Sequence, residues 1–298
     1  MVKSIKTYLK HTYKDFKNRS VNPPLVRTST MVFKSMNDLR KVQKKNQSNP
    51  RGGFFEYGRQ GTITTHELEK ILTNLEEAYY TFLTPTGFGS VFLTLFSVLR
   101  PGDEIIIADP IYSPTRLLTE DYLKEFNIKT NFYDPKNLRT IKENFTDKTK
   151  LIYVENPGSN TFEFQDLSKI TKLAKRKKIY TLLDNTWGTP LYLKPLTLGF
   201  DMSFCSATKY FSGHSDAMGG SLAVNKKVFS KIMFFYKLSG YRMAADEAYL
   251  IIRGLRTLDT RLKKHSENTK LVINFLKKQK KIKEILYPHI PSSKNYKL

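Results

Sequence analysis

The stretch "KLIYVENPGSNTFEFQDLSKITKLAKRKKIYTLLDN", residues 150–185, decides the fold. Its two ends, "KLIYVEN" (150–156) and "IYTLLDN" (179–185), are short apolar runs rich in β-branched and aromatic residues. Such runs read as strands buried on both faces. Between them "DLSKITKLAKRKK" (166–178) spaces its apolar residues at helical intervals among lysines, so it reads as a helix. Strand, helix and strand in succession predict an α/β fold with a mostly parallel sheet covered by helices on both faces.

The same alternation extends outward. "DEIIIAD" (103–109), "DMSFCSA" (201–207) and "GGSLAVN" (219–225) read as further strands. "THELEKILTNLEEA" (65–78) is amphipathic with early acids, and "GFGSVFLTLFSVL" (87–99) runs apolar from a glycine; both read as helices. Residues 1–53 read as a basic, polar arm in which "NPP" (22–24) and "NPRGG" (49–53) break any long element. No internal repeat or low-complexity linker stands out. In parallel α/β sheets ligands gather beyond the carboxyl ends of the strands. Tyr112, Glu155 to Ser159, Asp184 with Asn185, and Ser206 to Lys209 occupy those positions.

The 298 residues carry 50 Lys and Arg against 27 Asp and Glu, a formal net charge of +23. Residues 1–50 hold +10 of it and residues 261–298 hold +9, leaving +4 for the middle of the chain. Basic ends suit phosphate backbones, or simply solvated helix faces in a lysine-rich chain. No zinc-finger spacing, RNA-binding aromatic motif or helix-turn-helix pattern accompanies the charge, so no nucleic-acid partner is expected. The longest apolar run, "SVFLTLFSVL" (90–99), is too short to span a bilayer, and the N-terminal stretch lacks the apolar core of a secretion signal. Cys205 is the single cysteine, which rules out an intramolecular disulfide framework and fits a reducing, cytoplasmic setting. In the strand ahead of Lys209 it reads as a small buried residue rather than a catalytic thiol. His11, His66, His214, His265 and His289 show no metal-ligand spacing, and no metal site is expected. His214 reads as a structural hydrogen-bonding residue of the turn after Lys209, and Trp187 as a packing residue.

The strand ends supply four kinds of group that suit a pyridine-ring phosphate cofactor. Lys209 offers an amine for a Schiff base. Ser206, Thr208 and the helix start at Gly87 and Phe88 offer phosphate donors. Asp184 offers a carboxylate for the ring nitrogen, and Tyr112 an aromatic face. Each alone has a plain structural reading, as a helix cap or a packing residue; together they fill every role.

"SATKYFSGHSDAMGG" (206–220) resembles the cofactor-lysine motif of the pyridoxal-phosphate enzymes of cysteine and methionine metabolism, the trans-sulfuration family. "YGRQGTITTHELEKIL" (57–72), "TPTGFGSV" (84–91), "ADPIYSPTR" (108–116), "YVENPGSNTFEFQDL" (153–167), "LLDNTWGTPLYLKPL" (182–196) and "MAADEAYLIIRGLRTLDTRLKKHSEN" (243–268) resemble its successive blocks in order. Within the family, "PGSNTFE", "DNTW" and "ADEAYLIIRGLRTL" look most like the bacterial cystathionine β-lyase branch. The resemblance implies the fold-type I architecture, aspartate-aminotransferase-like. It also implies pyridoxal 5'-phosphate as cofactor, an amino-acid substrate, and β-elimination of L-cystathionine to homocysteine, pyruvate and ammonia in methionine biosynthesis. Lys209 would carry the cofactor and shuttle protons, its amine freed by burial. Asp184 would pair with the ring nitrogen. Tyr112 would stack on the ring and help deprotonate the incoming amine. Ser206, Thr208, Gly87 and Phe88 would hold the phosphate, and Ser159 would fall near the ring oxygen. Tyr57 and Arg59 would reach the phosphate of a neighbouring subunit, which implies a homo-oligomer, a homotetramer in this family.

On this resemblance residues 54–246 form the pyridoxal-phosphate-binding domain after the arm at 1–53. Residues 247–298 are then the connecting helix and the start of a C-terminal domain that is largely missing. The family's arginine for the substrate α-carboxylate has no counterpart in this sequence. A γ-synthase or γ-lyase, or a catalytically impaired remnant, are the alternatives.

Overall fold

The computed structural model describes residues 4–10, 13, 19–291, 293 and 296. His11 lies outside the described residues, as do parts of the N-terminal arm and of the stretch 292–298. In chain order the elements are α1 (Ile5–Lys10), α2 (Met36–Ser48), α3 (Ile63–Leu75), β1 (Tyr80–Thr84), α4 (Gly87–Val98), β2 (Glu104–Ala108) and α5 (Ser113–Leu117). A π-helical turn, Leu118–Tyr122, leads into α6 (Leu123–Glu125), β3 (Lys129–Tyr133), α7 (Arg139–Glu143), β4 (Thr149–Glu155), α8 (Leu167–Lys177) and β5 (Tyr180–Asp184). Then come α9 (Thr189–Tyr192), β6 (Met202–Ser206), β7 (Gly220–Val224), α10 (Lys226–Ser239), α11 (Ala245–Leu255) and α12 (Leu258–Leu276). Residues 1–97 with 204–256 form one compact unit, and residues 98–203 with 257–298 form the other.

The second unit contains the crossover that the opening stretch predicts. Its strands lie in the order β5-β4-β2-β3, and every pairing is parallel. α8 starts at Asp166, whose side chain accepts from the Lys169 N–H at 2.9 Å, and stops at Lys178 in the left-handed conformation (φ 57°). Its buried face, Leu167, Ile170 and Ala174, packs on Ile106, Ile152 and Leu183 of the strands, with Tyr133 and Phe200 closing the cluster. Its lysines stay in solvent, which is what its periodicity requires. β3 is an edge strand with only Tyr133 fully buried, so "KTNFY" has no apolar run to announce it.

In the first unit β1 pairs antiparallel with β7, from Tyr80 opposite Val224 to Thr84 opposite Gly220, and β7 neighbours β6. All five residues of β1 are buried, as are all five of β7. Tyr236 of α10 donates its hydroxyl to the Leu83 carbonyl at 2.6 Å, anchoring that helix on β1. The arm contains more structure than its sequence signals imply. Between its two breaker clusters the uninterrupted run 36–48 forms α2, capped by the Ser35 hydroxyl accepting from the Asp38 N–H at 3.2 Å. Arg27 of the arm forms a forked contact with Asp246 of α11, with Nη2 to Oδ1 at 2.5 Å. Among the described residues no helix is long and apolar enough to cross a membrane.

Ile152 has no exposed surface and sits at the centre of the β4 cluster. Ile152→Ala removes three buried carbons and leaves a cavity, a loss of about 3 kcal/mol. The expected readout is a lower urea midpoint with an unchanged slope; a loss under about 1 kcal/mol contradicts this packing.

Candidate active site

The predicted site residues fall on strand ends and turns of both units. In the first unit, β1 runs into a Thr-Pro-Thr turn and α4 begins at Gly87. The Thr86 hydroxyl accepts from the Gly89 N–H at 2.9 Å and caps the helix. Gly87 is required there, because a Cβ would stand 2.5 Å from both Cβ and Oγ of Ser206. The Ser206 hydroxyl is therefore pressed against the first turn of a twelve-residue helix, where N–H groups and the helix dipole favour an anion. Gly220 is constrained in the same way, since its Cβ would stand 2.3 Å from the Thr86 carbonyl oxygen. Thr208 is held on the opposite side of its turn: its hydroxyl accepts from the Gly219 N–H at 3.0 Å.

Lys209 follows on a turn in which its own N–H donates to the Ser206 carbonyl at 3.1 Å and the Gly213 N–H donates to the Lys209 carbonyl at 2.9 Å. That turn leaves the Lys209 side chain exposed, not buried as its expected chemistry demands. Desolvation of this amine is thus not supplied by the backbone around it. His214 behaves as its turn position predicts, with Nδ1 2.7 Å from the Ser212 carbonyl oxygen. Cys205 is buried in β6, 3.7 Å from a Glu76 carboxylate oxygen.

Tyr57 and Arg59 belong to a short segment that bridges Thr30, with the Gly58 N–H donating to the Ser29 carbonyl at 2.8 Å. Tyr57 is half exposed. Arg59 Nη1 donates to the Lys237 carbonyl at 2.7 Å, in the last turn of α10, where a cation is favoured. In this chain Arg59 is therefore engaged with its own fold.

The second unit carries the acidic groups. Glu155 and Asp184 are direct partners in the β4–β5 register, at the carboxyl ends of adjacent parallel strands. Glu155 accepts from the Tyr112 N–H at 2.8 Å and from the Ser159 hydroxyl, so it organises two of the predicted residues. The Ser159 N–H also donates to the Pro110 carbonyl at 2.8 Å. Tyr112 leaves its ring half exposed at the start of α5. Asp184 accepts from the Thr186 N–H at 2.9 Å. Burial pushes both carboxyl groups above the ordinary carboxylate range, and repulsion from Asp184 raises Glu155 further. Trp187 is packed only in part: it meets Phe162 and Phe164 edge-on and remains 44% exposed.

Sequence reading placed Glu155 at a strand end and assigned it no role. Its register opposite Asp184, two strands ending together, is the signal that marks it. A protonated ring nitrogen is the kind of group such a pair accommodates, because a cation beside Asp184 relieves both burial cost and repulsion. The α4 start against Ser206 accommodates a phosphate. The donors of the first unit suit a phosphate and the acids of the second suit a protonated ring nitrogen, the two kinds of group that pyridoxal phosphate carries.

A model of the family described as Cys/Met metabolism PLP-dependent enzyme matches residues 6–298. The chain is 33% identical over 281 residues to a cystathionine beta-lyase of Haemophilus influenzae, covering 94% of this chain and 70% of that one. It is 33% identical over 291 residues to an L-alanine/L-glutamate racemase of Wolbachia pipientis, covering 96% of this chain and 72% of that one. Among solved structures, a cystathionine gamma-lyase from Lactobacillus plantarum complexed with L-serine aligns with a TM-score of 0.90 at 26% identity, over 99% of this chain and 74% of that one. The fold is thus the fold-type I architecture that the sequence motifs imply.

The raised carboxyls have a consequence for stability. A carboxyl that titrates higher in the folded than in the unfolded chain contributes stability at low pH and loses it as the pH rises through its folded value. For Glu155 and Asp184 the loss spans about pH 4 to 7. In cofactor-free protein, Glu155→Gln is expected to flatten the fall in unfolding midpoint between pH 5 and pH 8, measured against the wild-type chain so that general charge repulsion cancels. Parallel curves for the two proteins contradict the buried pair.

Proposed function

The chain belongs to the pyridoxal-phosphate-dependent enzymes of Cys/Met metabolism, and from that premise we propose that it is a carbon–sulfur lyase acting on L-cystathionine by β-elimination. The observation that carries the reading is the half-buried carboxylate pair, Glu155 and Asp184, at the ends of β4 and β5. When bound, pyridoxal 5'-phosphate supplies an electron sink for the pair left at the substrate Cα, from which a thiolate departs at Cβ.

The roles fall to the chain's residues as follows. Asp184 keeps the ring nitrogen protonated, and Glu155 fixes the position of Tyr112 through its N–H and of Ser159 through its hydroxyl. Ser159 would serve the ring oxygen. The Tyr112 ring would stack on the cofactor, and its hydroxyl would take the proton of the incoming substrate ammonium. Ser206, Thr208 and the N–H groups of Gly87 and Phe88 hold the phosphate. Lys209 would hold the cofactor through Nζ, and its free amine would carry the proton of the substrate Cα. Tyr57 and Arg59 serve the phosphate of a second copy in a homo-oligomer, which requires Arg59 to leave the Lys237 carbonyl. The products are homocysteine, pyruvate and ammonia. The likeness to the Lactobacillus cystathionine gamma-lyase favours γ-elimination as the second reading, with the same lysine.

Purified protein with pyridoxal phosphate is expected to release pyruvate from L-cystathionine, and Lys209→Ala to lower that rate by about 10³-fold or more. Release of 2-oxobutyrate in place of pyruvate replaces the β-reading by the γ-reading. An unchanged rate in Lys209→Ala removes the lysine from the chemistry.

A further inference from the structure

The second unit contains a large cleft outside every residue assigned above. It has a volume of about 1720 Å³ and runs between α7, α8 and the segment after α12. Eight Lys and Arg side chains line it against three Asp and Glu. Two of the cations are already matched, Lys136 to Glu163 at 3.3 Å and Lys169 to Asp166 at 3.0 Å. The side chains of Arg139, Lys142, Lys172, Arg176, Lys277 and Lys283 are exposed, and among the described residues none of them is in a salt bridge or a side-chain hydrogen bond, although Lys172 acts electrostatically on Asp166. The interior is apolar: Leu173, Leu276, Ile285 and Leu286 contribute to it, and Leu286 is 52% exposed. The lysine face of α8 thus forms one wall of a groove.

We propose that this groove binds an acidic amphipathic helix of another protein. Three properties of the groove select that occupant. The first is size: small-molecule sites occupy about 300–1,000 Å³, whereas this cleft has room for roughly 14 residues of a helix about 10 Å across. The second is charge register. Lys169, Lys172 and Arg176 stand at i, i+3 and i+7 along α8, the spacing at which carboxylates recur on one face of a helix laid beside it. Leucines on that helix's other face meet the apolar interior, the mode in which an amphipathic helix enters a groove. The third is the character of the aromatic rings. A single-stranded nucleic acid needs open aromatic faces for its bases. Phe162 and Phe164 instead meet Trp187 edge-on, at interplanar angles of 83° and 84°, which leaves Tyr287 as the one other aromatic residue of the lining.

The test uses the full-length chain with bound cofactor and a fluorescein-labelled synthetic peptide of about 14 residues, leucines on one helical face and glutamates on the other. Fluorescence anisotropy is measured for the wild-type chain, for Lys172→Glu with Arg176→Glu, and for Leu286→Glu. The same titrations are run with a scrambled peptide of identical composition and with a single-stranded oligonucleotide. All three substitutions fall on exposed positions, and the cofactor absorbance serves as the check on folding. The expected result is saturable binding of the amphipathic peptide, at least tenfold weaker in both variants and at least tenfold weaker for the scrambled peptide. Equal binding of the scrambled peptide reduces the effect to bulk charge and overturns the proposal. Unchanged affinity in either variant does the same. Tighter binding of the oligonucleotide, lost in the double charge reversal, assigns the groove to nucleic acid instead.

Discussion

Two carboxylates that end adjacent parallel strands in the same register are the constraint on which the rest of the site depends. Glu155 and Asp184 are placed together by β4 and β5 and partly withdrawn from water; burial raises both, and the Asp184 charge raises Glu155 further. An arrangement of that kind costs stability unless a positive group is supplied. The parallel sheet explains how the chain holds such a pair at all. The core behind it, Ile152, Leu183 and Ile106 under α8, fixes the register through packing, so the acids cannot move apart without exposing apolar surface.

Lys209 and the groups around the start of α4 are organised by different physics. Around Gly87 and Gly220 the backbone comes so close to Ser206 and Thr86 that no side chain fits. Tight backbone approach at a helix start needs only glycine and a capping threonine to favour an anion. Lys209 stands on a turn held by its own backbone hydrogen bonds and keeps a solvent-exposed side chain. Membership in a pyridoxal-phosphate family gives these features a common purpose under the proposed function, with phosphate, ring nitrogen and Schiff-base amine each assigned a group in the chain.

Much of this was legible in the amino-acid order. "KLIYVEN", "IYTLLDN" and "DEIIIAD" are apolar on both faces, so their strands occur within a residue or two of the expected limits. "YTFLT" escaped notice although β1 is wholly buried, because five residues between two helices leave little periodicity to read. β3 escaped for the opposite reason: an edge strand keeps polar residues and resembles a loop. α2 was hidden by the breakers flanking it. At the candidate site, the strand pattern sufficed to place Asp184, Tyr112, Ser206 and Lys209 at or just after strand ends, which is where they lie. The part played by Glu155 was not legible, because its electrostatic coupling to Asp184 exists only once two strands are aligned. The exposure of Lys209 and the bond from Arg59 to Lys237 likewise depend on tertiary placement that no local pattern encodes.

The central claim is that one amine, in a chain with 50 Lys and Arg, is chemically set apart from the rest. Reduction of the cofactor-loaded protein with borohydride, followed by peptide mass spectrometry, reads this directly. The account predicts a pyridoxyl-phosphate adduct on the peptide containing Lys209 and on no other at comparable yield. Adducts spread over the exposed lysines of α8, α12 and the N-terminal arm, with Lys209 no more modified than its peers, contradict it.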